Sequence, residues 1–111
     1  MLIEIGTWQV RSDNREKHLE AAQTLIAVQR AKREEMLYKE VRFYTKVDDE
    51  TSTEHWMYID IFENLEDCQE HWDMLEKDDE LKAALGNVMS QIVPDSLKTS
   101  LWIEEDELRL E

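Results

Sequence analysis

The chain has 111 residues, 41% of them hydrophobic, and carries 13 basic against 27 acidic side chains for a formal charge of −14. At this length one domain is expected, and folding buries roughly 65% of the unfolded chain's surface, so a core forms without disulfide or metal staples. Cys68 is the sole cysteine, no apolar run approaches the roughly 18 residues of a membrane span, and no charged-then-apolar leader follows Met1. A reducing, cytoplasmic setting is therefore expected, and the negative charge sets nucleic acid and anionic lipid aside as partners.

In chain order, Leu2 to Val10 is β-branched and aromatic and predicts a strand closed by the polar Arg11-Ser12-Asp13-Asn14. Asp13 and Glu16 have capping-box spacing, so a helix is expected to start there. Leu19, Ala21, Ala22, Leu25, Ile26 and Val28 then share one side of an amphipathic helix running to Lys32. From Leu37 to Val47 a period of two predicts a second strand, and Asp48 to Thr53 is a polar connection to a third strand ending at Phe62. Asn64 caps a second helix through Leu65, Cys68, Trp72 and Leu75. Lys77-Asp78-Asp79 interrupts it before a further helical piece that ends at Pro94. Leu97 to Ile103 alternates again as a fourth strand, followed by an acidic tail over about 104–111. The charge is local, +2 over residues 1–47 and −16 over 48–111, and reads as a solvated face, since a cation site needs carboxylates that converge.

The order β-α-β-β-α-β, with its second helical region broken in two, predicts an α+β domain over 1–111 of the ferredoxin-like split βαβ type, both helical regions on one face of an antiparallel sheet. If the helices cover Ile3, Ile5, Val41, Phe43, Ile59 and Ile61, the other face presents Trp8, Tyr38, Tyr44, Tyr58, Phe62 and Trp102. So large an aromatic face requires cover, which a second copy supplies. Arg42, Glu40, Asp60, Trp8 and Trp102 are thus expected at a homodimer interface, with Arg42 paired to a carboxylate because unpaired buried charge is costly.

Through Ile59-Asp60-Ile61-Phe62-Glu63-Asn64, Glu70-His71 and Leu81-Lys82-Ala83-Ala84, the chain resembles the antibiotic-biosynthesis-monooxygenase family of dimeric α+β barrels. In that family an acidic strand end, a spacer and an aromatic lead into a helix with a Glu-Ala-His-like step, and Asp60, Phe62 and Glu70-His71 match. The resemblance implies a dimeric barrel and one of three roles: cofactor-free oxygenation of quinols or polyketide aromatics, haem degradation, or no catalysis. Two departures bear on these. The Ser-Pro-His-like turn of many relatives is replaced by Lys77-Asp78-Asp79-Glu80, and the run that ends in an iron-ligating His in haem-degrading relatives reads Lys82-Ala83-Ala84-Leu85. Leucine cannot ligate iron, so haem is disfavoured and no cofactor is expected.

Cofactor-free oxygenation needs a base beside an acidic substrate hydroxyl in an apolar pocket. His18, at the centre of the first helix's apolar arc, and His71, through the family match, are the catalytic candidates. The plainer reading of each is a structural, hydrogen-bonded imidazole. Trp56, Tyr38 and Tyr58 are candidate ligand walls for a small aromatic, although aromatics at this spacing more often form core. Trp72 is assigned to the core. Glu40 and Asp60 become acid/base partners only if buried away from the interface network. Cys68 and His71 stand three apart on one helix, too few ligands for a metal site. The leading reading is a cofactor-independent monooxygenase-like protein acting on a small aromatic or quinol. The alternative is a non-catalytic module that binds a small ligand or a regulatory partner through its acidic face, and a haem protein ranks third. A cavity reached by His18 or His71 favours the first, and complete filling of that space by Leu25, Trp72 and Leu85 removes it.

Overall fold

A computed structural model describes residues 1–46 and 52–111. Val47, expected to end the second strand, and Asp48 to Thr51 of the expected polar connection lie outside the described residues. The elements are β1 (Leu2–Arg11), α1 (Arg15–Ala31), β2 (Glu40–Thr45), β3 (Thr53–Phe62), α2 (Leu65–Lys77), α3 (Asp79–Met89) and β4 (Lys98–Ile103). They form an antiparallel sheet of order β2-β3-β1-β4, the ferredoxin-like α+β arrangement anticipated from the element order. None of the described helices is long and apolar enough to cross a membrane.

Local signals act where they satisfy backbone groups. The Asn64 side chain accepts from Asp67 N at 2.9 Å, capping α2. Asp78 accepts from Leu81 N at 3.0 Å, so the predicted interruption is a second N-cap that starts α3, further held by Lys32 Nζ at 2.8 Å. The capping box at Asp13 does not form. Ser12 to Asn14 make a 3-10 turn, and α1 starts at Arg15 without a side-chain cap. The second strand starts at Glu40 rather than Leu37, and Met36 before it is buried against Leu75 and Leu81.

The assignment of sheet faces is reversed for β1 and β3 and holds for Val41 and Phe43 of β2 and Trp102 of β4. Leu2, Glu4, Gly6, Trp8 and Val10 of β1 are the buried positions, and the register aligns them with Phe62, Asp60, Tyr58, Trp56 and Glu54 of β3. Val41 and Phe43 join this helix-covered side through their pairing with Asp60 and Tyr58. The open face instead carries the cross-strand pairs Ile3–Ile61 and Ile5–Ile59, flanked by Arg42 and Glu40 on β2 and by Trp102 on β4. Trp8 and Asp60, expected at the dimer interface, therefore face the helices, while Arg42, Glu40 and Trp102 lie on the open side. Arg42 is ion-paired with a carboxylate there, as expected, and the carboxylate is that of Glu40.

Gly6 explains part of this choice. A Cβ at Gly6 would fall 2.1 Å from Tyr58 Cε1, so the missing side chain is the space the Tyr58 ring occupies. Around it Trp8, Val10 and Trp56 pack with Phe43, Tyr58 and Ile92, and Ala21, Leu25, Ala84 and Val88 join α1 to α3. The helices do not reach over β4, all six residues of which are exposed.

Candidate functional site

Between the helices and the sheet lies a cavity of about 180 Å3. Leu25, Trp72 and Leu85 line it rather than fill it, and its polar wall is Asp60, His71 and Gln29. Each of these three is at least nine-tenths buried. The alternation of β3 aims Asp60 inward from its last turn-proximal residues, the stripe of α2 brings His71, and α1 brings Gln29.

Asp60 sits opposite Glu4 in the register, both on the buried side. Glu4 is an anchored carboxylate: it accepts from Tyr58 Oη at 2.8 Å, from Trp72 Nε1 at 2.6 Å, and from Cys68 Sγ at 3.9 Å. Burial raises its pKa while these donors oppose the rise. Among the described residues no hydrogen bond reaches the Asp60 carboxyl, and burial, with the neighbouring charge of Glu4, pushes its pKa up to about 8. The two carboxyls therefore differ in their surroundings: three donors favour the charged form of Glu4 against its burial, whereas burial and the neighbouring Glu4 favour the protonated form of Asp60.

His71 is pushed by burial down to about 4, so it is a neutral imidazole. Its Nδ1 and Gln29 Oε1 are buried polar atoms with no hydrogen-bond partner among the described residues. Such an atom costs about 1–3 kcal/mol. Both residues line the cavity, where a ligand hydroxyl could donate to Gln29 Oε1 and pair with His71 Nδ1.

The structure brings some candidates together and separates others. His71 and Tyr58 reach the cavity, and His18 does not. The His18 Nε2 accepts from Trp8 Nε1 at 2.9 Å and Nδ1 lies 3.3 Å from Gln91 Oε1, so both ring nitrogens are engaged, with the proton on Nδ1. Burial lowers the pKa of His18, partly offset by Gln91 and Glu54. Trp56 stacks on Trp8 behind the cavity wall. Tyr38 packs edge-on to His71 and under the Arg33 guanidinium, one layer removed from the cavity. Sequence reasoning does not single out Gln29, and it sees Glu4 only as a charge among the aromatics that must pair or meet water, not as a site residue. The signal for Glu4 was its shared parity with Leu2, Trp8 and Val10.

Haem does not fit this space. The cavity is smaller than the roughly 300–1,000 Å3 of ordinary ligand sites, and Leu85 on its wall has no ligating atom. No group of three or more His, Cys, Asp or Glu among the described residues is placed to hold a metal ion.

No protein-family model matches the sequence, and no curated protein matches it. Solved structures do. A candidate antibiotic biosynthesis monooxygenase from Deinococcus radiodurans superposes with a TM-score of 0.68 at 16% identity, over 100% of this chain and 99% of the other. One from Nitrosomonas europaea gives 0.70 at 15% identity, over 95% and 99%. A NIPSNAP family protein from Agrobacterium tumefaciens gives 0.71 at 17% identity, over 95% and 86%. The resemblance carried by Asp60, Phe62 and Glu70-His71 is thus met across nearly the whole chain at the level of fold: this is the ferredoxin-like α+β fold of the antibiotic biosynthesis monooxygenase and NIPSNAP proteins.

Proposed function

We propose that the chain is a cofactor-independent oxygenase of a single-ring phenol or quinol, with Asp60 as the base that ionises the substrate hydroxyl. The observation that carries this is the buried carboxyl of Asp60 on the wall of an apolar cavity, where burial and the neighbouring Glu4 raise its pKa. Burial brings Asp60 up to about 8, toward the range of a phenolic hydroxyl, and takes His71 down to about 4, away from it. Asp60 is therefore the base, and neutral His71 and Gln29 orient the ring oxygens by hydrogen bonds.

The cavity size selects the ring count, since a space of about 150 Å3 accommodates benzene. Ionisation makes the ring electron-rich enough to reduce oxygen held beside it. One oxygen atom then bonds to the ring and the other leaves as water, turning a quinol into a hydroxyquinone with no external reductant. The names of the Deinococcus and Nitrosomonas neighbours support the oxygenase class.

A chelator-treated, metal-free preparation is expected to consume one oxygen molecule per single-ring quinol oxidised, above the autoxidation rate. Tight binding of the quinol without oxygen uptake would replace this reading by a ligand-binding one, and neither binding nor uptake would remove both.

The open sheet face supports a homodimer as the working form. Its four isoleucines form a continuous apolar stripe, and Trp102 beside them is 58% exposed. A second copy packed face to face buries this stripe. Sedimentation at micromolar concentration should give twice the chain mass, and Ile59→Lys, which places a charge in the stripe's centre, should give a monomer that keeps its helical signal.

A further inference from the structure

Four oxidisable rings line or adjoin the cavity, and each donates its proton to a side-chain base. Tyr58 and Trp72 donate to Glu4 at 2.8 and 2.6 Å. Trp8 donates to His18 Nε2 at 2.9 Å, and Trp56 to Glu54 Oε1 at 3.1 Å. Buried Tyr and Trp usually find some partner, but most side-chain hydrogen bonds go to backbone or water. Here all four acceptors are Brønsted bases. Three of the rings are also contiguous: Tyr58 to Trp8 is 5.7 Å between centroids, and Trp8 to Trp56 is 6.3 Å with the planes 28° apart. Tyr58 and Trp8 line the cavity. Trp56 borders a separate surface pocket with Lys46 and Pro94, and the Arg15 guanidinium, paired with Glu54, lies over its ring.

Removing an electron from a phenol or an indole makes its O–H or N–H strongly acidic. In a low-dielectric interior the electron leaves readily only if a base takes the proton at the same moment. Oxidation of Tyr58 with transfer of its proton to Glu4 converts a buried carboxylate into a neutral acid beside a neutral phenoxyl, which relieves the cost of burying that charge. Burial raises the pKa of the Tyr58 phenol, so this coupled route is favoured over prior ionisation.

We propose that Tyr58, Trp8 and Trp56 form a proton-coupled conduit that carries an oxidising equivalent from the cavity to the surface beside Arg15 and Glu54. A one-electron oxidant in the cavity, an oxygen-derived radical or a one-electron-oxidised aromatic, takes an electron from Tyr58 while the proton passes to Glu4. Trp8 then returns an electron to Tyr58 as Glu4 returns the proton, and Trp8 gives its own N–H proton to His18. Trp56 reduces Trp8 in the same way, His18 returning the proton and Glu54 accepting that of Trp56. A thiol-class reductant in solvent restores Trp56 with one electron as Glu54 returns the proton, the thiol becoming a thiyl radical and releasing its own proton to solvent. The conduit would drain damaging oxidants from a site that handles oxygen, but its geometry stands apart from the assignment of Asp60, and its test supplies the oxidant independently.

The test attaches a ruthenium polypyridyl photo-oxidant to Arg15→Cys, over Trp56, in the full-length protein; Cys68 is buried and escapes labelling. A flash with an external quencher should yield a tyrosyl radical by electron paramagnetic resonance, with kinetics independent of protein concentration and slower in heavy water. Tyr58→Phe should abolish the tyrosyl signal and leave a tryptophanyl one, and Trp8→Phe should lose most of the tyrosyl yield. A tyrosyl signal that survives Tyr58→Phe would overturn the proposal. So would equal rates in light and heavy water in the otherwise unmutated labelled protein, a measurement that does not depend on any core variant folding.

Discussion

Asp60→Asn is expected to lower kcat/KM for oxygen-dependent quinol oxidation by about 100-fold or more, the usual share of a positioned general base. The substitution preserves shape and removes the proton acceptor, so quinol binding measured without oxygen should change little. In the unsubstituted protein kcat/KM should climb with pH toward a plateau above about 8, following ionisation of Asp60, and the residual activity of the variant should lack that rise. An unchanged rate, or an unchanged pH profile, would remove Asp60 from the chemistry.

The same substitution has a stability signature of opposite sense to that of an ordinary aspartate. The pKa of Asp60 is raised on folding, so between about pH 4 and about pH 8 the folded chain holds a proton that the unfolded chain has lost. Stability from this group therefore falls as pH rises through that window. Asp60→Asn should be more stable than the parent at pH 8 in urea titrations, with the difference closing near pH 4. His71 acts the other way. Its pKa is lowered to about 4 on folding, so its contribution is lost as pH falls below about 6.5, and the variant should keep that acid limb.

Gly6→Ala is expected to destabilise the chain by about 3 kcal/mol, at the upper end of overpacking costs. The backbone at Gly6 has no positive φ, so the penalty is steric: the new methyl would meet the Tyr58 ring at 2.1 Å. Tyr58 cannot swing aside cheaply, since Trp8 and Phe43 pack around it and its hydroxyl is committed to Glu4. Urea unfolding of Gly6→Ala, Tyr58→Leu and the double variant should show a strong coupling, the double variant being less destabilised than the two single costs added together. Additive costs would mean the glycine serves something other than the Tyr58 ring.

The elements and their order were legible because each rests on local chemistry. Asn64 and Asp78 cap helices by accepting backbone protons three residues on, and the alternation through β3 needs only its own period to be seen. The site was less legible. Asp60 and His71 stand out as residue types in a matching pattern, but the sequence groups Asp60 with Arg42 and Glu40 at an interface because two residues on adjacent strands have no parity in common until the register is set. The register pairs Arg42 with Ile59 and Val41 with Asp60, which puts Arg42 on the opposite side of the sheet. His18 was well placed on its helix, yet Trp8 and Gln91, 10 and 73 residues away, occupy both its nitrogens.

By itself, then, the sequence determined the succession of strands and helices, the ferredoxin-like topology and the apolar character of both sides of the sheet. Only the tertiary structure decided which side the helices take. Both parities of β1 and β3 are apolar enough to be buried, so hydrophobicity does not choose between them. The choice turns on whether Glu4 and Asp60 can be accommodated inside, and that depends on Tyr58, Trp72 and Cys68 arriving from distant positions to hold Glu4 and on Gly6 leaving room for the Tyr58 ring.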